Sequence, residues 1–241
     1  MTSIARRAAV ASASLALLSG GIAVAAPQRS ATATVHHLPG SSCTAFPANN
    51  VWNTPVNTLP VDSHSATWVR TIGDYNLHPD FGPTYGAQAF PYGIPITYVG
   101  GSHAKVRVKF LYSSESDQVR YPLGSDTRIE GGKSAGGDRH AIIVDRSTCR
   151  LYEVYDARHT SHGWTGGSGA TWSLNGNKLR PAGWTSADAA GLPILPGLLR
   201  VGEVKAGHVD HAIRFTTNRT RNRYIWPARH EASSLTGAQY P

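Results

Sequence analysis

Apolar residues in this chain mostly alternate with polar ones or gather in short groups. Val106, Val108 and Phe110 alternate with Lys105, Arg107 and Lys109, the period of a strand with one face on a core and one face in water. The same reading predicts strands over 94–99, 105–112, 140–145, 150–155, 170–174, 208–216 and 223–227. Residues 140–145 and 150–155 flank Arg146-Ser147-Thr148-Cys149 and read as a hairpin. Helix is confined to short pieces: one opening near Ser63 and stopping at Gly73, and a single turn after Thr185-Ser186-Ala187-Asp188. The second is a variant capping box followed by Ala189-Ala190 and the stops Gly191 and Pro193. The chain's 25 Gly and 15 Pro leave little room for long helices. The expected fold class is all-β: a single-domain β-sandwich, jelly-roll-like, or a barrel, with long loops and one or two short helices.

The first residues break this texture. Arg6 and Arg7 precede an apolar stretch over 8–25 built mainly of Ala, Leu, Val and Ile and ending in Ala23-Val24-Ala25. A charged start, an apolar middle and small residues at the end are the parts of a secretory signal, so residues 1–25 are expected to be removed, with Ala31-Thr32-Ala33 as a second possible site. Residues 26–40 form a polar tail and 41–241 one mostly β domain, expected as a secreted, extracellular monomer. No later segment is long and apolar enough to span a bilayer.

Export changes the meaning of the two cysteines. Cys43 and Cys149 are the only ones in 241 residues, and an isolated pair in an oxidising compartment is expected to bond. A nucleophilic thiol does not fit, since neither lies in a Cys-His motif. The charge points outward as well: 23 Lys and Arg against 15 Asp and Glu give +8, which favours a polysaccharide or other anionic cell-surface polymer as partner. Arg214, Arg219, Arg221, Arg223 and Arg229 concentrate near the end. No helix-turn-helix, zinc-finger or RNP pattern accompanies them, which argues against nucleic acid.

Two expected strands open alike, Gly137-Asp138-Arg139-His140-Ala141-Ile142 and Val209-Asp210-His211-Ala212-Ile213. Each sets an Asp and a His at a strand mouth, where an imidazole can do acid/base work while the next residues enter the core. His230 follows the last expected strand. Glu153 interrupts the apolar and aromatic run Leu151-Tyr152-Glu153-Val154-Tyr155, and alternation puts it on the face of Leu151 and Tyr155. A carboxylate there is either paired with an arginine such as Arg107, Arg150 or Arg214, or held with a raised pKa in a cleft. Glu153 and Asp138 are the candidate acid/base pair, with His140 and His211 in or beside the cleft. Trp184, Asp188, Arg214, Trp226 and His230 are the candidate substrate contacts, because flat rings and polar neighbours suit a sugar's apolar face and hydroxyls. No cofactor is expected; a metal on His140, His211 and His230 is an open alternative, although their spacing is not that of a compact ligand motif. Glu130-Gly131-Gly132-Lys133-Ser134-Ala135-Gly136-Gly137 lacks phosphate-loop spacing and reads as a chain turn.

Cys43-Thr44-Ala45-Phe46-Pro47, Glu130-Gly131-Gly132, Gly137-Asp138-Arg139-His140, Gly183-Trp184-Thr185-Ser186-Ala187-Asp188 and Trp226-Pro227-Ala228-Arg229-His230 together carry a resemblance that covers nearly the whole mature chain. It resembles a family of uncharacterised secreted microbial proteins. The resemblance implies no activity, and it implies a further C-terminal piece beyond the position of Pro241. The leading expectation is a secreted carbohydrate-active enzyme that cleaves an extracellular or cell-wall polysaccharide by acid/base catalysis, as a glycoside hydrolase or, on an anionic substrate, a lyase. The alternatives are a non-catalytic glycan- or cell-wall-binding module and a His-ligated, metal-dependent hydrolase.

Overall fold

The computed structural model describes residues 35–73 and 93–241. The expected signal at 1–25, the tail as far as residue 34 and residues 74–92 lie outside the described residues. The strands are β1 (Ile96–Val99), β2 (Val108–Phe110), β3 (Ala141–Asp145), β4 (Arg150–Val154), β5 (Arg158–Thr160), β6 (Gly163–Gly166) and β7 (Gly169–Ser173). The helices are α1 (Ser65–Ile72) and α2 (Val201–Ala206), with short 3-10 turns at Ser113–Glu115 and Leu195–Gly197.

One sheet has the order β1-β3-β4-β7, with β1 parallel to β3 and the other neighbours antiparallel. The second has the order β2-β6-β5, with β2 parallel to β6 and β5 antiparallel to it. Both sheets are therefore mixed, and neither closes on itself.

Strand β3 has the sequence Ala-Ile-Ile-Val-Asp and is buried at every position, as a central strand covered on both faces must be. Ile142 and Val144 join Leu151, Ala170 and Trp172 on one face, against Leu38, Phe46, Ile194 and Leu195. Ala141 and Ile143 join Tyr152 and Val154 on the other, against Val108, Trp164, Tyr121 and Leu123. Burial of each such aliphatic side chain contributes about 1.5–3 kcal/mol. Strand β2 keeps the expected wet face, with Val108 buried and Lys109 exposed.

The hairpin read from the sequence is present: β3 and β4 pair antiparallel as far as Asp145 opposite Arg150. Asp145 Oδ1 accepts the Ser147 N–H at 3.0 Å and so closes the turn. Cys149, at the end of that turn, is bonded to Cys43. The bond fastens the N-terminal segment that carries Leu38, Ala45 and Phe46 to the sheet. Helix α1 ends at Gly73, whose N–H donates to Val69 O.

Other expectations need correction. Residues 208–216 and 223–227 form no strand. Their amides find scattered acceptors instead of a ladder, with Ala212 N–H on Trp52 O and Arg214 N–H on Gly197 O, while Ile213, Phe215, Ile225 and Trp226 are exposed. Alternation describes an extended chain, but a strand also needs a neighbouring edge. The turn after Thr185 is not helical, because Ser186 Oγ accepts the Asp188 N–H and lies 2.6 Å from Leu192 O, and so ties a loop. That loop closes at Gly191, where φ is +71° and a Cβ would stand 2.6 Å from Trp184 O, a place only glycine fills without displacement. Strands β5 and β6 and helix α2 were not anticipated. Among the described residues, no helix is long and apolar enough to cross a membrane.

Candidate functional site

The structure brings several of the sequence-selected residues to one loop, over residues 187–195. Glu153, on the central strand β4, has no exposed surface. Its Oε1 accepts the N–H groups of Ile194 and Leu195 at 3.0 and 2.9 Å, and its Oε2 lies 2.9 Å from the Ile194 nitrogen. No arginine pairs with it among the described residues. Burial pushes its carboxyl up to about 7; the two amide bonds and the charge of His140 offset part of that rise, and Asp188 adds to it. The expected cleft is thus a sealed interior, and the carboxylate works there as a clamp on the 194–195 turn.

His140 ends the loop that enters β3. Its Nδ1 lies 2.7 Å from Glu130 Oε2 and its Nε2 3.1 Å from Ala187 O. Both ring nitrogens face oxygens that accept, so the imidazolium form satisfies both. Burial alone would lower the His140 pKa, but the bond and charge of Glu130 outweigh it and the value is raised. Burial likewise works to raise the Glu130 carboxyl, and the bond to His140 overrides it, holding the group below the usual range. Arg214 Nη2 reaches Asp188 Oδ1 at 3.3 Å. Glu153, His140, Asp188 and Arg214 thus all reach the loop over residues 187–195, and Glu130, which sequence reasoning read only as part of a turn, pairs with His140.

The remaining candidates are spread out. Asp138 is exposed, so it and the sealed Glu153 do not face one substrate, as a two-carboxylate hydrolysis requires. His211 is occupied elsewhere, with Nε2 2.9 Å from Glu203 Oε1 and Nδ1 2.8 Å from Ala212 O. His230 Nδ1 lies 2.8 Å from Ala189 O. Its Nε2 stands 3.7 Å from Glu115 Oε2. With these separate partners, His140, His211 and His230 do not make a ligand group; among the described residues the potential metal-ligand group is a different one, His36, His208 and Asp210. Trp184 is half-buried beneath the Arg180 guanidinium, 5.5 Å from its ring centre. Trp226 is 67% exposed.

A second constellation is open to solvent and was not visible in the sequence. A groove of about 720 Å³ runs beside the three-stranded sheet, inside the range of roughly 300–1,000 Å³ that holds ligand-sized molecules. Its charged lining is entirely cationic: Arg107, Lys133, Arg139 and Arg158. Arg139 is itself buried and spends its guanidinium on the carbonyls of Ala157, Gly132, Lys133 and Ala135. It thereby holds the glycine-rich loop that presents Lys133. Arg158 pairs with Asp156 at 2.7 Å. Arg107 and Lys133 are exposed and have no ion-pair partner among the described residues.

The groove also has an aromatic wall. His159 on β5 and Trp164 on β6 stand directly opposite in the strand register. Their ring centres are 4.9 Å apart at 39°. Val106, Leu123 and Ile129 complete an apolar floor. An apolar floor with a cationic rim can hold a ring with a C–H face and an anionic substituent at once. Residues from four separate stretches of sequence supply the lining, so only two local signals hinted at it: the wet face that carries Arg107, and the lysine of the glycine-rich turn.

No protein-family model, curated protein or solved structure matches the chain.

Proposed function

We propose that the protein works outside the cell as a carbohydrate-active protein that binds an acidic polysaccharide in the Arg107–Lys133–Arg158 groove. The observation that carries this reading is the groove's lining, where Arg107 and Lys133 are exposed and without ion pairs among the described residues, beside an apolar floor and the Trp164 ring. Carboxylate or sulfate groups on successive sugars would meet Arg107 and Lys133, and a pyranose face would lie on the apolar floor. The excess of Lys and Arg over Asp and Glu, which stays positive after Arg6 and Arg7 leave with the signal, would bring a polyanion to the surface. Trp164, 8% exposed, supplies an edge to the groove more than an open platform.

One arrangement favours cleavage in addition to binding. The exposed imidazole of His159 stands in the groove beside the cations, where it can take the C5 proton of a uronate whose carboxylate is neutralised by arginine or lysine. The electron pair then forms the C4=C5 bond, the C4–O bond breaks, and the departing oxygen takes a proton from water. Incubation with carboxylated polysaccharides, with neutral glycans and single-stranded nucleic acid as comparison, tests both readings. Selective retention of the acidic polysaccharide is expected, and growth of ultraviolet absorbance from unsaturated ends would establish the lyase step. Retention without absorbance supports a binding module. Equal binding of neutral glycan, or preference for nucleic acid, overturns the proposal.

A further inference from the structure

His36 and the loop after α2 make a second constellation, remote from the groove in its residues and different in its chemistry. His36 Nε2 lies 3.2 Å from Asp210 Oδ2, and His208 Nε2 lies 3.4 Å from the same oxygen. All three ligand atoms fall within 4.8 Å of one another. We propose that His36, His208 and Asp210 bind one zinc ion, which fastens the N-terminal segment to the loop that follows α2.

The distances suit this chemistry. With zinc–nitrogen and zinc–oxygen bonds of about 2.0–2.1 Å, the edge of a tetrahedron is about 3.3 Å. The two separations from Asp210 Oδ2 lie within 0.1 Å of that edge, and the two imidazole nitrogens lie within 4.8 Å of each other.

The orientation of His208 supplies a second, independent argument. Its Nδ1 lies 3.1 Å from Ala206 O, and a carbonyl can only accept, so Nδ1 carries the proton. Its Nε2 is thereby turned toward the Asp210 carboxylate. A ligand histidine whose other nitrogen is held by a carbonyl is the usual support around a metal, because it fixes both tautomer and ring direction.

The nearby charges leave the site free. Arg200 shares a small cavity beneath it with Val35, Ala45, Asn53 and His211, but its guanidinium is held by Glu203. His211 also points to Glu203 and is not a ligand. Two imidazoles and one carboxylate are a borderline-soft set that suits zinc better than calcium or magnesium, which favour oxygen alone. The three ligands would leave a fourth position for water, and the exposed side chains give an entry path.

The ligands come from opposite ends of the described chain: His36 and Asp210 are separated by 174 residues. The ion would therefore close a long loop near the segment that the Cys43–Cys149 bond already fixes, and metal that binds only the folded state stabilises it.

The test is calorimetric titration of the full chain, stripped with chelator, with zinc chloride, alongside His36→Ala, His208→Ala and Asp210→Asn. The expected result is one equivalent bound by the parent, with at least tenfold weaker binding in each variant. Zinc should raise the melting temperature of the parent and leave that of the variants unchanged. All three positions are exposed, and circular dichroism of the metal-free variants verifies that they fold. Cobalt substitution should give the intense visible bands of a tetrahedral centre in the parent and lose them in His208→Ala. No binding by the parent, or zinc binding that persists in all three variants, would overturn the proposal.

Discussion

Glu130 Oε2 lies 2.7 Å from His140 Nδ1 and also accepts the His140 backbone N–H at 3.1 Å. This ties the start of the glycine-rich loop to the residue before β3, so one carboxylate sets both the imidazole and the entry of the central strand. The pair has a defined pH window. The raised His140 contributes stability that is full below its unfolded value near 6.5 and fades as pH climbs through the folded one. The lowered Glu130 contributes above its unfolded value near 4.5 and loses that as pH falls through the folded one. Both act together between roughly pH 4.5 and 6.5. Glu130→Gln should therefore cost about 2 kcal/mol at pH 6 and clearly less at pH 9, measured by urea unfolding. An equal loss at both pH values would contradict the ionic pairing.

Glu153 has the opposite sign. Its folded value of about 7 exceeds the ordinary 4.5, so the native state keeps a proton that the unfolded chain releases, and stability falls as pH rises across that interval. Glu153→Gln keeps a carbonyl oxygen for the Ile194 and Leu195 amides and removes the titration. Its stability profile should be flatter than the parent's by up to ~3 kcal/mol between pH 4.5 and 7. Parallel profiles for the two proteins would show that the carboxyl does not titrate in this way.

The Cys43–Cys149 bond closes a loop across 106 positions and holds the layer that covers Ile142 and Val144. Replacing both cysteines by serine should lower unfolding stability by about 2–5 kcal/mol. Thermal unfolding with and without reductant checks it, since the parent under reduction should approach the double variant.

Arg180 is buried, and its guanidinium reaches Asp117 Oδ2 at 2.9 Å, Glu115 O at 2.6 Å and Thr185 O at 2.7 Å. It lies over both Trp172 and Trp184. A lysine keeps the charge but cannot span three acceptors with a planar fork. Arg180→Lys should cost about 2–4 kcal/mol, with a change in tryptophan fluorescence as the 180–185 loop loosens. Unchanged stability would place the loop's anchor elsewhere.

Local patterns made parts of the fold legible. The β3–β4 hairpin could be read because an apolar run, a four-residue polar turn and a second apolar run are contiguous, and the Gly73 stop of α1 is equally local. Glu153 stood out because a carboxylate at a core-facing position is costly. Its partners are backbone amides of Ile194 and Leu195, which no side-chain pattern announces. Residues 208–216 misled because alternation records which side chains suit a pleated chain, and not whether an edge is free to pair. Strands β5 and β6 were missed for the reverse reason: Arg158-His159-Thr160 is exposed at every position and is a strand only through its register with β6. The late arginines form a cluster in the sequence itself, whereas the convergence of Arg107, Lys133 and Arg158 is a property of the folded sheet.

Binding of an acidic polysaccharide by Arg107→Ala/Lys133→Ala, compared with the parent across a salt series, tests the central claim most directly. Both side chains are exposed and lack ion-pair partners among the described residues, so the variant should fold with unchanged stability. The parent should bind polygalacturonate with an affinity that falls as salt rises. The double variant should bind about tenfold or more weakly, with a shallower salt dependence. Equal affinity and equal salt dependence in the two proteins would show that the groove is not where a polyanion binds.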